Sequence, residues 1–218
     1  MSRLYKVDAS AADIAAHFAA DIPVPVGVPV DTVEGAPGLV VLEAHGRRRL
    51  KSMQWGFPRL TREMRLRGDA PGRLGLVADL TNPMWRQLVA EPRYRCLIPL
   101  THFANPAGFA GSKTRTWFSM KGVPLVAWAG FCRNTPEFGP VFAGMTTVAN
   151  DLIMPYNDRM PVLLFAEDYD RWLKGAIQDV IDFQYRPPIA PDRMTLTATD
   201  ALWRSGTVPK QLQSQFAL

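Results

Sequence analysis

Short apolar blocks separated by turn-forming residues run through most of this sequence, and they predict more strands than helices. One helix is indicated near the start, where Ser10 and Asp13 have the spacing of a capping box and open an alanine-rich segment to about Ala20. The next segment, 21–38, holds four prolines and three glycines and is predicted to be extended or turn-like, because proline cannot occupy a helix interior. The arginine-rich stretch that ends at Arg73 is predicted to be a long loop.

Two more helices and a series of strands complete the pattern. One helix follows a cap at Thr81 or Asn82 and ends near Ala90, and another begins at Glu167 and ends at Gly175. Because strands and helices do not alternate as βαβ units, we expect an α+β fold. The predicted strands are Leu39–Ala44 and Arg49–Trp55, which form a hairpin, and then Cys96–Leu100, Thr116–Met120, Pro124–Gly130, Val141–Thr147, Met160–Phe165 and Met194–Ala198.

The size and composition of the chain fit one globular domain. Of its 218 residues, 47% are hydrophobic and 21% charged, and neither a repeat nor a linker divides them, so we expect a single domain over residues 1–218 with a loose tail at 204–218. No apolar run reaches the ~18 residues that a membrane span needs, and the N-terminus lacks the apolar core of a signal peptide. Two cysteines are too few for a disulfide framework. We therefore expect a cytoplasmic protein with no membrane partner.

Positive charge is concentrated in one part of the sequence. Residues 47–73 contain nine arginines and lysines against two acidic residues, a net charge of +7, whereas the whole chain carries +5. A basic block on a near-neutral body indicates an anionic partner, with nucleic acid first. A solvated arginine-rich loop explains the same composition, so charge alone leaves both interpretations open.

Eight short motifs give the sequence a family resemblance. They are, in order, MSRLY, MQWGFP, NPMWR, RCLIP, FANP, WAG, TTVAN and DRMPVLL. Each motif alone is weak, but the ordered series resembles the SRAP family (SOS-response-associated peptidases, the abasic-site-processing proteins) over about residues 1–175. The resemblance implies a bifurcated, partly barrel-like β-sheet surrounded by helices, and a role in the response to DNA damage.

The resemblance also implies a covalent chemistry that starts at residue 2. In the family, removal of Met1 exposes a cysteine whose amine condenses with the aldehyde of an abasic site in single-stranded DNA, and whose thiol then closes a five-membered ring. This chain has Ser2 at that position. A hydroxyl is a far poorer nucleophile than a thiol, which is partly ionised at neutral pH. The Ser2 amine still permits a Schiff base, but ring closure is unfavourable.

Three further positions that the resemblance assigns to catalysis, and one position near them, are also substituted. Leu76 aligns with a family asparagine and Ala78 with a nearby arginine, whereas Asn105 replaces the glutamate expected to carry protons and Asn157 replaces a histidine. Neither amide can transfer protons near neutral pH, because general acid–base catalysis needs a titratable group. We therefore expect the crosslinking and autopeptidase activities to be lost, and whether the chain is an enzyme stays open.

Residues suited to binding are retained. Arg3, Arg86 and Arg159 stand at or beside basic positions of the family, and guanidinium groups suit phosphate oxygens because they donate in a planar fork. Trp55 offers a ring on which a base can stack, and Arg73 belongs to the basic segment. These five residues are the predicted contacts to single-stranded or abasic DNA. Two alternatives remain: Trp55 is a core aromatic, and Arg159 pairs with a neighbouring carboxylate.

The remaining candidates for chemistry are few. Cys96 and Cys132 lie in apolar segments and are expected to be buried and unreactive. His102 is three residues from Asn105, so an extended segment would place the two on opposite faces, and only a turn would let His102 replace the missing base. The sequence has no zinc-like Cys/His spacing and no glycine-rich phosphate loop, so we expect neither a metal nor a cofactor.

Three hypotheses follow, in order of preference. The chain binds single-stranded DNA without crosslinking it; or it is a residual enzyme that acts through the residue-2 amine; or it is a protein-interaction module in which apolar or acidic side chains near Leu76 block the former DNA groove. All three expect Ser2, Asn105 and Asn157 to meet in one pocket.

Overall fold

Strands dominate the structure, a computed structural model that describes residues 4–203. The helices are α1 (Ala11–Phe18), α2 (Arg62–Arg67), α3 (Arg86–Ala90), α4 (Tyr169–Lys174) and α5 (Ile177–Tyr185), with 3-10 turns at Pro83–Trp85, Pro92–Tyr94, Ala166–Asp168 and Pro191–Arg193. The strands are β1 (Leu4–Lys6), β2 (Ala20–Asp21), β3 (Thr32–Val33), β4 (Pro37–Ala44), β5 (Arg47–Trp55), β6 (Phe57–Arg59), β7 (Gly72–Leu74), β8 (Leu76–Val77), β9 (Arg95–Leu100), β10 (His102–Ala107), β11 (Thr114–Met120), β12 (Val126–Thr135), β13 (Gly139–Val148), β14 (Arg159–Pro161), β15 (Leu163–Leu164) and β16 (Met194–Leu202).

Five of these strands close into a ring. Antiparallel pairs join β13 to β12, β12 to β9, β9 to β4 and β4 to β5, and β5 returns to β13 through a parallel pairing. The rings of Trp55 and Trp128 meet edge to face in the core, with centroids 5.6 Å apart. Each buried indole N–H donates to a backbone carbonyl at 2.7 Å, that of Trp55 to Gly75 and that of Trp128 to Met145. A buried indole needs such a partner, so these bonds fix where the rings lie.

A second sheet branches away from the ring in the order β16-β11-β10-β1-β3. Tyr5 on β1 joins the two sheets, because its ring contacts Trp55 at 5.3 Å and Trp128 at 5.9 Å between centroids. β10 pairs with β1 and β11, which places Asn105 in the middle of this sheet opposite Thr116. The bifurcated, partly barrel-like arrangement matches the expected α+β architecture.

A buried arginine attaches the helices to the ring. Arg95, 1% exposed at the start of β9, donates to the carbonyls of Trp172 at 3.1 Å, Gly175 at 2.7 Å and Val89 at 3.3 Å. These carbonyls lie at the C-terminal ends of α3 and α4, where the last turn of a helix leaves acceptors without partners. Burial lowers the pKa of Arg95, but a guanidinium remains charged at neutral pH.

Most predicted elements are confirmed, and one prediction is wrong. The capping box at Ser10 and Asp13 is present, and the hairpin of β4 and β5 turns at His45 and Gly46, both of which have positive φ. The stretch up to Arg73 is not a long loop, since β6, α2 and β7 form a ribbon with a helix at its tip. The pattern also missed β10 and α5. Within residues 4–203, no helix is long and apolar enough to cross a membrane.

Candidate nucleic-acid interface

Two amide side chains meet at the centre of the candidate site. Asn157 Nδ2 donates to Asn105 Oδ1 at 3.0 Å, and Asn157 Oδ1 accepts from the backbone N–H of Arg159 at 3.3 Å. Asn105 is 0% exposed, and its own Nδ2 has no hydrogen-bond partner in the structure described. The alignment placed these two residues at one site, and the structure brings them into direct contact. Neither side chain titrates, so this pair can donate and accept hydrogen bonds but cannot carry a proton.

Arg159 lies beside the amide pair and is held by neutral oxygens. Its Nε donates to Thr146 Oγ1 at 2.8 Å, and one terminal nitrogen donates to the carbonyls of Ala78 at 2.9 Å and Thr146 at 2.5 Å. No carboxylate among residues 4–203 lies within ion-pair distance of its guanidinium, which removes the carboxylate-pairing alternative for the described chain. The positive charge of Arg159 is therefore oriented by neutral acceptors and forms no ion pair, although the exposed Asp79 lies near enough to interact with it electrostatically.

Gln184 donates hydrogen bonds to the same two carbonyls. This residue of α5 is 2% exposed, and its Nε2 donates to Ala78 O at 3.2 Å and Thr146 O at 3.3 Å. Thr147 Oγ1 in turn donates to the Gln184 carbonyl at 2.8 Å, which attaches the end of α5 to β13. Both carbonyls that accept from Arg159 thus also accept from the Gln184 side-chain amide, so their orientation does not depend on the arginine alone.

The other two positions assigned to catalysis are Leu76, which the structure describes, and Ser2, which it does not. Leu76 is 4% exposed in β8, where it pairs with Gly144 of β13, and the same strand leads to Ala78 at the site. Ser2, like Arg3, lies outside the described residues. The first described residue, Leu4, pairs with Ala104, the neighbour of Asn105.

Two of the predicted DNA contacts, Trp55 and Arg73, already interact with other residues of the protein. Trp55 is 0% exposed and stacks on Phe142, with an interplanar angle of 9°. Its ring therefore belongs to the core, the alternative that the sequence left open, and no face is free for a base. Arg73 donates to Gln54 Oε1 at 2.7 Å and lies 3.8 Å from the Phe138 ring centroid. Burial lowers its pKa, with the nearby Glu34 opposing that effect.

Arg86 differs from these two residues. It is exposed at the start of α3, directly after the buried Trp85, and its side chain makes no hydrogen bond or ion pair with a described residue. Of the five predicted DNA contacts, Arg86 and Arg159 are thus the described ones whose charge remains available to an anion.

The residues considered as replacements for lost chemistry do not reach the site. β10 is extended from His102 to Ala107, so His102 points to the face opposite Asn105. There it binds Thr101 Oγ1 at 2.9 Å, and its pKa is lowered by burial and by Lys6. Both cysteines are buried, as expected, and burial raises the pKa of the Cys96 thiol. The described residues hold no group of three or more histidine, cysteine or acidic side chains suited to a metal ion.

The sequence reasoning missed the residues that orient Arg159. Thr146 is part of the motif TTVAN, which gave a signal for the strand but not for a carbonyl acceptor. Gln184 gave no signal, because the helix that carries it was not predicted. Ala78 stands where the family resemblance implies an arginine, whereas its contribution to the site is its backbone oxygen.

Comparisons with known proteins agree with this architecture. A family model described as SOS response associated peptidase (SRAP) matches residues 3–198. A search of curated proteins found no significant match. A solved structure from Bordetella bronchiseptica aligns with a TM-score of 0.73 and 22% identity, over 90% of this chain and 99% of that chain. One from Bacteroides thetaiotaomicron gives 0.71 and 16%, over 89% and 90%. A phage-related protein from B. bronchiseptica gives 0.69 and 15%, over 91% and 94%. At these identities, the three structures show similarity of fold.

Proposed function

Because this chain belongs to the SOS response associated peptidase (SRAP) family, we propose that it binds single-stranded DNA, including strands with an abasic site, without bonding covalently to them. Family membership supports a function associated with DNA damage. The binding step and the absence of covalent chemistry are our proposals. They rest on the geometry of Arg159 and on the amide pair beside it.

The guanidinium of Arg159, which is held in place without an ion pair, is the observation that carries the proposal. Three hydrogen bonds to Thr146 and Ala78 fix its plane, and all the acceptors are neutral. A fixed guanidinium without a carboxylate partner suits a phosphate oxygen, because the bond is charge-assisted and little side-chain entropy remains to be lost. Hydrogen bonds to charged groups contribute about 1.5–3 kcal/mol each, which corresponds to roughly tenfold or more in affinity.

The amide pair explains why binding would not proceed to a covalent adduct. Forming and resolving a Schiff base requires proton transfers, and a titratable side chain must lie within hydrogen-bond reach to catalyse them. Asn105 and Asn157 bind each other at the positions where the family carries a glutamate and a histidine. The hydroxyl of Ser2 in place of a thiol adds a second obstacle at the level of the sequence.

Fluorescence anisotropy with labelled single strands, intact and abasic, tests the binding step. We expect Arg159→Gln to weaken binding about tenfold or more, and to lower the slope of log affinity against log salt by about 0.7, the value for one phosphate contact on a single strand. Arg171→Gln is the matched control, because Arg171 already pairs with Asp179 at 2.6 Å and Asp182 at 2.9 Å. No binding at low salt, or equal losses in both variants, would refute the proposal and favour the interaction module.

Borohydride trapping on an abasic single strand tests the second half of the proposal. We expect no stable adduct at neutral pH. An adduct that disappears when removal of Met1 is blocked would show instead that the residue-2 amine reacts, and the chain would then be a residual enzyme.

A further inference from the structure

A basic arm projects from the ring next to the candidate site. We use this name for residues 57–74, in which β6 pairs with β7 and α2 lies at the tip. Thr61 caps α2 through its side chain, and Gly68 ends the helix with a φ of 71°. None of the residues of α2 is buried. The helix is therefore held by its caps and by the ribbon, and most of its surface remains free.

The base of the arm is fixed to the body by aromatic contacts. Phe57 is buried against Trp85 edge to face, with ring centroids 5.4 Å apart. On the other strand, Arg73 stacks on Phe138 and donates to Gln54. Because both strands of the ribbon are anchored, the arm presents its tip in a defined direction.

One side of α2 carries two arginines whose side chains form no ion pair. Arg62, Arg65 and Leu66 share a helical face because of their i, i+3 and i+4 spacing, and Glu63 is the acidic residue of the same helix. Both arginines are exposed, neither side chain makes a hydrogen bond or ion pair with a described residue, and Leu66 is 79% exposed. The acidic residue of the tip that forms an ion pair, Asp69, binds Arg67 at 2.9 Å outside this face.

The arm is continuous with the candidate site. β7 leads through β8 to Ala78, whose carbonyl binds Arg159, and Trp85 at the base of the arm is followed by the exposed Arg86. Gly72, at the end of the ribbon nearer α2, lies six positions before Ala78. This end of the ribbon is therefore at most about 20 Å from the site. This length corresponds to roughly six stacked nucleotides at ~3.4 Å each.

We propose that the face of α2 formed by Arg62, Arg65 and Leu66 is a second contact for the phosphates of the nucleic acid strand that Arg159 binds. The inference rests on the proposed function, and it goes further by assigning a separate binding surface to the ligand. α2 has no aromatic side chain for base stacking. The contact is therefore electrostatic, insensitive to base sequence and strongly dependent on salt.

The test compares the salt dependence of two double variants on a single strand of about 20 nucleotides. We expect Arg62→Gln/Arg65→Gln to lower the slope of log affinity against log salt by about 1.4, which is about 0.7 for each lost contact. Between about 50 and 200 mM salt, the affinity advantage of the unmodified protein then shrinks about sevenfold.

Arg47→Gln/Lys174→Gln is the control, because it removes the same charge from two exposed residues near the turn between β4 and β5. Arg47 follows that turn and pairs with Asp21, and Lys174, at the end of α4, pairs with Glu43 of β4. That turn lies about 27 Å from Trp55 along β5. Equal slopes for the two double variants would overturn the inference, because only the overall charge would then matter. Tighter binding of an acidic peptide than of DNA, lost in Arg62→Gln/Arg65→Gln, would also overturn it. If Arg159→Gln leaves affinity and salt slope unchanged while Arg62→Gln/Arg65→Gln lowers the slope, the proposed role of Arg159 fails, and α2 contacts the strand on its own.

Discussion

The hydrogen bond between the two amides at the candidate site predicts an unusual pattern of stabilities. In Asn157→Ala, Asn105 Oδ1 loses its donor, and the Asn105 side chain, 0% exposed and already without a partner for Nδ2, keeps no hydrogen bond at all. An unsatisfied buried polar group costs about 1–3 kcal/mol. At about 2 kcal/mol, the melting temperature of a chain of this length falls by roughly 4–8 °C.

Replacing both amides should cost less than replacing one. Asn105→Leu/Asn157→Leu removes the acceptor together with its donor and fills similar volume, and such paired apolar replacements are nearly neutral. We therefore expect the double variant to be more stable than Asn157→Ala, with a coupling free energy of about 1–2 kcal/mol in a double-mutant cycle completed by the single leucine variants.

Urea denaturation followed by tryptophan fluorescence measures these free energies, because several tryptophans are fully buried in the core. Unchanged m-values would confirm that the variants share one native state. If the losses in the single leucine variants simply add up in the double variant, the two amides are not coupled, and the hydrogen bond between them does not contribute to stability as proposed.

The sequence predicts the scaffold of this protein better than its contacts. The hairpin of β4 and β5 follows from alternating apolar residues around His45 and Gly46, and the capping box at Ser10 follows from local chemistry. Both signals are local, so one sequence suffices to read them. β10 was missed because His102–Ala107 contains a proline and polar residues, and it is a strand because β1 and β11 pair with it on both sides.

At the site, too, contacts between distant parts of the chain are what a single sequence does not reveal. Family motifs placed Asn105 and Asn157 together although 52 positions separate them, and the structure confirms that contact. Nothing in the sequence distinguished Trp55 as a core ring from Trp55 as a stacking platform, since its burial depends on partners from distant strands. Backbone acceptors leave no sequence signal at all, because every residue has a carbonyl, and only the fold decides which ones face Arg159.

Three further predictions follow. At constant ionic strength and with the N-terminal amine acetylated, DNA affinity should vary less than twofold from about pH 7 to 8.5, because the amide pair does not titrate and the two histidines whose pKa burial lowers stay neutral; a titration curve by anisotropy checks this, and a sigmoidal change would contradict it. Gln184→Leu should lower the free energy of unfolding by about 1–3 kcal/mol and weaken DNA binding by loosening Arg159, whereas Gln178→Leu on the exposed side of α5 should leave binding unchanged. Gly144→Ala should destabilise the fold by at least about 1–3 kcal/mol, because its Cβ would lie 2.1 Å from a buried indole, whereas Gly27→Ala, with nothing within 4 Å, should be near neutral in thermal melts.

The groups that orient the ligand-binding charge are separate from the positions that the family uses for chemistry. Arg159 is held by Thr146 on β13 of the ring and by the carbonyl of Ala78, which follows β8, and the carbonyls of both residues also accept from Gln184. Amides at positions 105 and 157 can therefore replace titratable groups without displacing the guanidinium, because the only bond that connects them to Arg159 is its backbone N–H. Loss of proton transfer and retention of anion binding are thus physically compatible in one site. If substituting Gln184 weakened DNA binding while every substitution at 105 left it intact, this separation would be demonstrated directly.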